Sequence, residues 1–282
     1  PVPVKARKTP PIIPSHTEAV KLVDAPEYLK VGDEHPIEKS GVGYKTPGTV
    51  SVMNVYNSRI QFPEGTKITA LRIIQVLQKT TPVHQAPAIG YGMETGARSV
   101  LGTVPVEKDG SAFFKLPPAK SVYFQALDEN GEAVQSMMSS TYVQGGENLS
   151  CIGCHEKKGQ TPENRQRLAL QRAPSEISPE PSGSNPFSYP MLVQPVLDKN
   201  CVECHNGSDK TFNLRAGNWE EDEYKWYTSY RNLQKYAWHR GALGKGYDFW
   251  NHPRSIPGEV GAKASDLIRI LKNGHHKVKL SD

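Results

Sequence analysis

The chain contains four cysteines, at positions 151, 154, 201 and 204. They form two Cys-x-x-Cys pairs, and a histidine follows each pair at once: CIGCH at 151–155 and CVECH at 201–205. No cysteine is left over. Two thiols at this spacing lie one short turn apart, as needed to add across the two vinyl groups of a single porphyrin. The adjoining histidine then falls under the iron and supplies an axial imidazole. The pattern predicts two covalently attached haem c groups. Cys151 and Cys154 would hold the first and Cys201 and Cys204 the second, with His155 and His205 as the proximal metal ligands.

Other chemistries use the same residue types. Four thiolates can bind one zinc ion. However, 46 residues separate Cys154 from Cys201, longer than the usual zinc ribbon, and zinc gives no reason for a histidine at the same offset twice. Local disulfides or redox-active dithiols also leave the histidines unexplained.

The second axial position separates an electron carrier from a haem that binds small molecules. Seven further histidines are candidates: His16, His35, His84, His239, His252, His275 and His276. For the second haem the choice is His275, at a helix end on a glycine turn, with His276 as the alternative. Both could instead be solvated residues favoured by the dipole at a helix C-terminus. For the first haem the choice is His84, in the loop TTPVHQAPAIGYG. A surface His84 is as good a reading, and His16, Met137, Met138 and Tyr142 are rivals. Arg98, Arg215 and Arg254 are candidate partners for haem propionates. Four propionates would take the formal net charge from +5 to about +1.

The elements that must position these residues follow from pattern and composition. The 282 residues suit one large domain or two modest ones. Glycine (24) and proline (23) are abundant, which points to turn-rich β structure with linkers. Residues 1–48 repeat proline too often for a helix and read as an extended strap. Residues 49–160 read as a β-rich haem domain resembling a small sandwich. Its strand candidates are TVSVMNVYN, KITALRIIQVLQ, SVLGTVPV, SAFFKLP, SVYFQALD and EAVQSMMSSTYV, although KITALRIIQVLQ also has helical amphipathicity. Asp109-Gly110 and Asn130-Gly131 read as hairpin turns. Residues 161–186 hold a short helical stretch and a Pro/Ser/Gly-rich linker. Residues 187–282 read as a mainly α, cytochrome c-like haem domain. There a proline-started helix leads into the second motif, and ASDLIRILKN forms a helix stopped by Gly274. The fold class is therefore α+β.

Some whole classes are excluded. No apolar run of about 18 residues occurs, so no transmembrane segment is expected. An excess of five positive charges spread along the chain is too weak for nucleic-acid binding. Haem attachment of this type places the protein in the periplasm or outside the cell. The chain starts without methionine and stops inside an apparent element, which reads as a piece of a longer protein.

Residues 45–282 resemble a known family. The blocks VLGTVPVEKDGSAFFKLP and VYFQALDENGEAVQSMMSSTYVQGGENLSCIGCHE are similar to the middle domain of the hydrazine synthase alpha subunit family. The blocks PFSYPMLVQPVLDKNCVECHNG and PGEVGAKASDLIRILKNGHHKVKL are similar to the cytochrome domain that follows it, as also in related planctomycete-type multihaem cytochromes. The resemblance implies His205 and His275 as the ligand pair of the second haem. In the family a tyrosine four residues past the first motif ligates the catalytic haem. Gly159 stands at that position here, which argues against hydrazine synthesis.

The expected function is a dihaem c-type cytochrome that transfers electrons between its haems and redox partners. One alternative is a haem enzyme acting on a small nitrogen or oxygen species at an open first haem. Another is an assembly subunit of a larger cytochrome complex or polymer. Partners would be other redox proteins or haem subunits, or further copies of the chain.

Overall fold

The structure is a computed structural model and describes residues 46–79, 83, 89, 96–137, 139–154, 156, 159–181, 183–184, 186–208, 212–217, 226–236 and 264–278. The strap, except for its last three residues, lies outside them.

Seven strands follow in order: β1 (Gly48–Val52), β2 (Ile68–Val76), β3 (Arg98–Pro105), β4 (Ala112–Leu116), β5 (Val122–Asp128), β6 (Ala133–Ser136) and β7 (Asn148–Cys151). They form two sheets, ordered β4-β1-β7 and β3-β2-β5-β6. In β1 and β4 burial alternates strictly along the strand, and β3 and β5 alternate over most of their length. Period-2 burial is what one solvated and one packed sheet face require. The two inner faces share one core. Val50, Val52, Phe114 and Leu116 come from one sheet, and Leu71, Ile73, Val104, Val122 and Phe124 from the other. Phe114 and Phe124 meet across it edge to face, with ring centroids 5.5 Å apart. KITALRIIQVLQ is thus a strand. Its apolar residues serve a central strand of the larger sheet, flanked by β3 and β5.

The two turn motifs behave differently. Asn130-Gly131 closes a true hairpin between β5 and β6, with Gly131 at φ +73°. The Asp128 carboxylate accepts from the N–H groups of Asn130 and Glu132. Asp109-Gly110 also forms a tight turn, with Gly110 at φ +78°. Its flanking strands then part: β3 pairs with β2, whereas β4 pairs with β1. The expected hairpin is therefore a crossover between the sheets. Pro105, which has no N–H for a ladder, ends β3 before the turn.

Residues 161–186 are tied to the sandwich. A 3-10 turn at Leu168–Gln171 is followed by bridges from Ser175 to Phe114, Ser178 to Thr103 and Pro186 to Ser99. These bridges cover the outer edges of β4 and β3. Arg72 with Glu180, and Lys115 with Glu176, add ion pairs along the same path.

Beyond it, a π turn at Tyr189–Val193 runs into α1 (Gln194–Asn200); α2 (Thr228–Leu233) and α3 (Asp266–Lys272) follow. Their small core is Leu197, Leu214 and Leu233, with Tyr189, Phe212, Tyr236 and Leu267 packed around it. Lys272 of α3 pairs with Glu132 on the β5–β6 turn, which ties this region to the sandwich. No described helix is long and apolar enough to cross a membrane.

Replacing Phe114 with alanine is expected to cost about 3–5 kcal/mol, because a fully buried ring leaves a cavity. The same change at half-buried Phe113 should cost far less. Urea unfolding of both variants measures the difference.

Candidate functional site

The first Cys-x-x-Cys pair is delivered by a strand and clasped by a turn. Cys151 is the last residue of β7, in parallel register with Val52 of β1. The backbone beyond β1 then grips the motif. Met53 N–H donates to Cys151 O at 2.8 Å, and Asn54 N–H donates to Ile152 O at 3.2 Å. Cys154 N–H donates to Asn57 O at 3.0 Å. Gly153 is needed at this contact, because a Cβ there would lie 2.1 Å from Asn57 O. The Asp109-Gly110 turn supports the clasp, since Val55 N–H donates to Gly110 O at 2.8 Å.

Both thiols are held in their neutral form. Burial pushes the Cys151 thiol up, with help from the negative charge of Glu156. The same two causes, with Cys151 as a third, push Cys154 up to about 11. A nucleophilic dithiol needs the opposite shift. No disulfide joins the cysteines. Among the described residues no three of His, Cys, Asp or Glu converge as metal donors, so the four sulfurs do not form one zinc site.

The second pair follows α1 in a tight turn. Cys201 N–H donates to Leu197 O, and both Cys204 and His205 N–H groups fold back onto Cys201 O. The His205 ring sits 4.5 Å from that of Phe212. Opposite it lies His275, with ring centroids 5.8 Å apart and planes 24° from parallel. Two imidazoles bound at about 2 Å on opposite sides of one metal would have centroids about 6 Å apart, so the spacing fits a shared iron. His276 does not share this arrangement. Its ring meets His275 edge-on at 4.6 Å. The backbone explains the choice: Gly274 at φ +86° ends α3, and His276 at φ +52° turns the chain back so that Val278 N–H reaches His275 O. His205 Nδ1 is buried with no well-formed hydrogen bond. Burial lowers the His205 pKa, and His275 and His276 lower it further, against the Phe212 backbone.

A buried polar chain fixes this region. Tyr189 OH donates to Ser229 Oγ at 3.1 Å, and Ser229 donates to Gln194 Oε1. Gln194 Nε2 donates to Leu214 O and Asp198 Oδ1. Leu214 N–H in turn donates to His205 O at 2.8 Å. Burial is the main cause that pushes the Tyr189 phenol up to about 12, so it stays a donor.

Residues 66–156 match the hydrazine synthase alpha subunit middle domain. This span runs from just before β2 to just past the first motif. Among solved structures, Kuenenia stuttgartiensis hydrazine synthase matches with a TM-score of 0.54 at 19% identity, over 70% of this chain. At that identity the likeness is one of fold. The chain spans about a third of that structure's chain, 34% of it. No curated protein matches the sequence. The resemblance read from the residues is therefore found independently in the middle-domain family and in the fold.

Of the expected site residues, the structure brings His205 and His275 together beside Cys201 and Cys204. His84 and His155 lie outside the described residues, as do His16, Met138 and Arg254. Met137 packs against the sandwich core and Tyr142 is exposed. Arg98 lies over the Tyr123 ring and donates to Gly96 O. Gly159 takes a left-handed turn at φ +84° with open space where a side chain would stand. The hydrogen-bond hub Gln194 and the ring neighbour Phe212 had no sequence signal, since neither belongs to a motif.

Replacing Gln194 with alanine should destabilise the second region by about 1–3 kcal/mol, the cost of stranding buried partners. Hydrogen exchange should then rise in α1 and α2 ahead of the sandwich strands. Asp109 gives a pH test. Burial raises its pKa, but bonds from Ser111 and Leu168 and the charge of Arg167 outweigh this and leave it lowered. A carboxylate with a lowered folded pKa stabilises fully above its unfolded value of about 4 and loses that contribution as pH falls further. An Asp109→Asn variant should therefore show a shallower loss of stability between about pH 5 and pH 2.5, read by urea midpoints.

Proposed function

We propose that the chain is a dihaem c-type cytochrome that passes electrons between two covalently held haems and redox partners. The observation that carries this reading is the facing pair His205 and His275, set at metal-sharing distance beside Cys201 and Cys204. The fit has a second support. A metal-bound imidazole ordinarily donates its other ring nitrogen to a neighbouring group, and the Phe212 backbone lies beside the His205 ring as such a partner.

Cys151, Cys154 and His155 would hold the first haem, and Cys201, Cys204, His205 and His275 the second. A bound haem supplies a one-electron couple whose potential follows its axial ligands and burial. The chain does the rest. The 53–57 clasp fixes the first attachment loop against the sandwich. Phe212 lines the proximal ring of the second site. The Tyr189–Ser229–Gln194 chain holds the His205 backbone in place, so little rearrangement would accompany a change of charge. The Lys272–Glu132 ion pair ties the His275 helix to the sandwich.

Such a protein works in the periplasm or outside the cell, within reach of other haem proteins. A place in a larger complex or polymer follows from the same reading. Gly159 separates the chain from hydrazine synthesis in particular.

The intact mass of the purified protein should exceed that of the bare chain by two haems, and C201A/C204A should lose one of them. A mass equal to the bare chain would sink the proposal. In the optical spectrum, His275→Ala should convert one haem from low spin to high spin, whereas His276→Ala should leave it low spin. If the unaltered protein shows a high-spin haem that binds cyanide or carbon monoxide, the enzyme reading replaces that of a pure carrier.

A further inference from the structure

Ser265 stands at the N-cap of α3, where a serine hydroxyl ordinarily accepts from the first free N–H groups of its helix. Here it makes no such cap. Its Oγ donates instead to Tyr236 O at 3.0 Å, 29 positions back in the chain. The helix that gives up this cap has little else to fix it. α3 spans seven residues and buries none of them fully. Leu267 packs on the small core, and Lys272 pairs with Glu132. That lysine is 56% exposed, and exposed ion pairs hold weakly. Ser265 is buried, so water does not compete for its bond to Tyr236.

The side chain of Tyr236 gives the bond its meaning. Tyr236 ends the 3-10 turn Gln234–Tyr236. Its ring lies 5.8 Å from that of Phe212, with planes 34° apart. The Phe212 ring lies in turn 4.5 Å from the His205 ring. The backbone of Tyr236 thus holds the start of α3, whose far end leads into His275, while its ring backs the aromatic neighbour of His205. Seven helical residues span about 10 Å, so a tilt at Ser265 is carried along the helix toward His275. We infer that Tyr236 is the positioning residue that sets the angle between the His205 and His275 rings, whose planes stand 24° from parallel. Contacts outside the ligand set orient metal-bound imidazoles in this way. This inference rests on the dihaem reading above, in which the two rings share one iron.

The test reads the low-spin EPR signal of the second haem in Ser265→Ala and Tyr236→Leu, each as the full holoprotein. The second haem is the one whose signal is missing from C201A/C204A. Near-parallel imidazoles give a rhombic signal, and crossed imidazoles give a more anisotropic one. The expected result is a change toward the crossed type in both variants, with a shift in the potential of the second haem and none in that of the first. Ser265→Thr and Tyr236→Phe, which keep the hydroxyl and the ring, should retain the original signal. Lower urea midpoints with an unchanged signal and unchanged potentials would overturn the role and leave Tyr236 as a packing residue. If Tyr236→Leu does not fold, Ser265→Ala decides the matter, and an unmoved signal in it rejects the inference. The haem count by mass is taken first. Two haems with an unmoved signal reject this inference alone, whereas no haem rejects the dihaem reading.

Discussion

The parallel pairing of β1 with β7 is the constraint on which the first site depends. The two strands are about a hundred positions apart, yet Val52 lies in register with Cys151. β1 is also the middle strand of its sheet, bound on its other side by β4. Its side chains enter the shared core, so its position is fixed by burial as well as by hydrogen bonds. The backbone that leaves β1 then runs across the Cys151–Cys154 loop. A glycine between the cysteines is what lets the two backbones meet.

The second site is held by different means. Its apolar core is small, built on three buried leucines, and a polar chain through Gln194 adds order to it. Fully satisfied buried networks of this kind favour one arrangement over its neighbours. Here that arrangement fixes the backbone of His205, while a glycine and a left-handed histidine aim His275 back at it. Stability and the His205–His275 geometry are thus coupled in this region, whereas the sandwich could keep its shape with an altered Cys151–Cys154 loop.

The sandwich and much of the second region were legible in the sequence because their signals are local. Alternation in GTVSV and AFFKL gave strands, Asn130-Gly131 gave a hairpin, and Gly274 marked the end of α3. The Asp109-Gly110 turn shows the limit of such signals. A tight turn can be read from two residues, but whether its strands pair depends on which sheet buries each of them. The path of residues 175–186 shows the same limit. Its proline, serine and glycine content marks a connection, and only the exposed edges of β3 and β4 turn it into a bridged one.

The sequence alone determined the attachment chemistry expected of this protein, because covalent spacing between cysteines and histidine does not depend on the rest of the fold. It also narrowed the partner of His205 to two adjacent histidines. Tertiary structure decided which of them faces His205, since one positive backbone angle at His276 separates the two rings. It alone showed Ser265 turned from its own helix onto Tyr236, because that contact joins segments distant in the chain and has no signature at the residue itself.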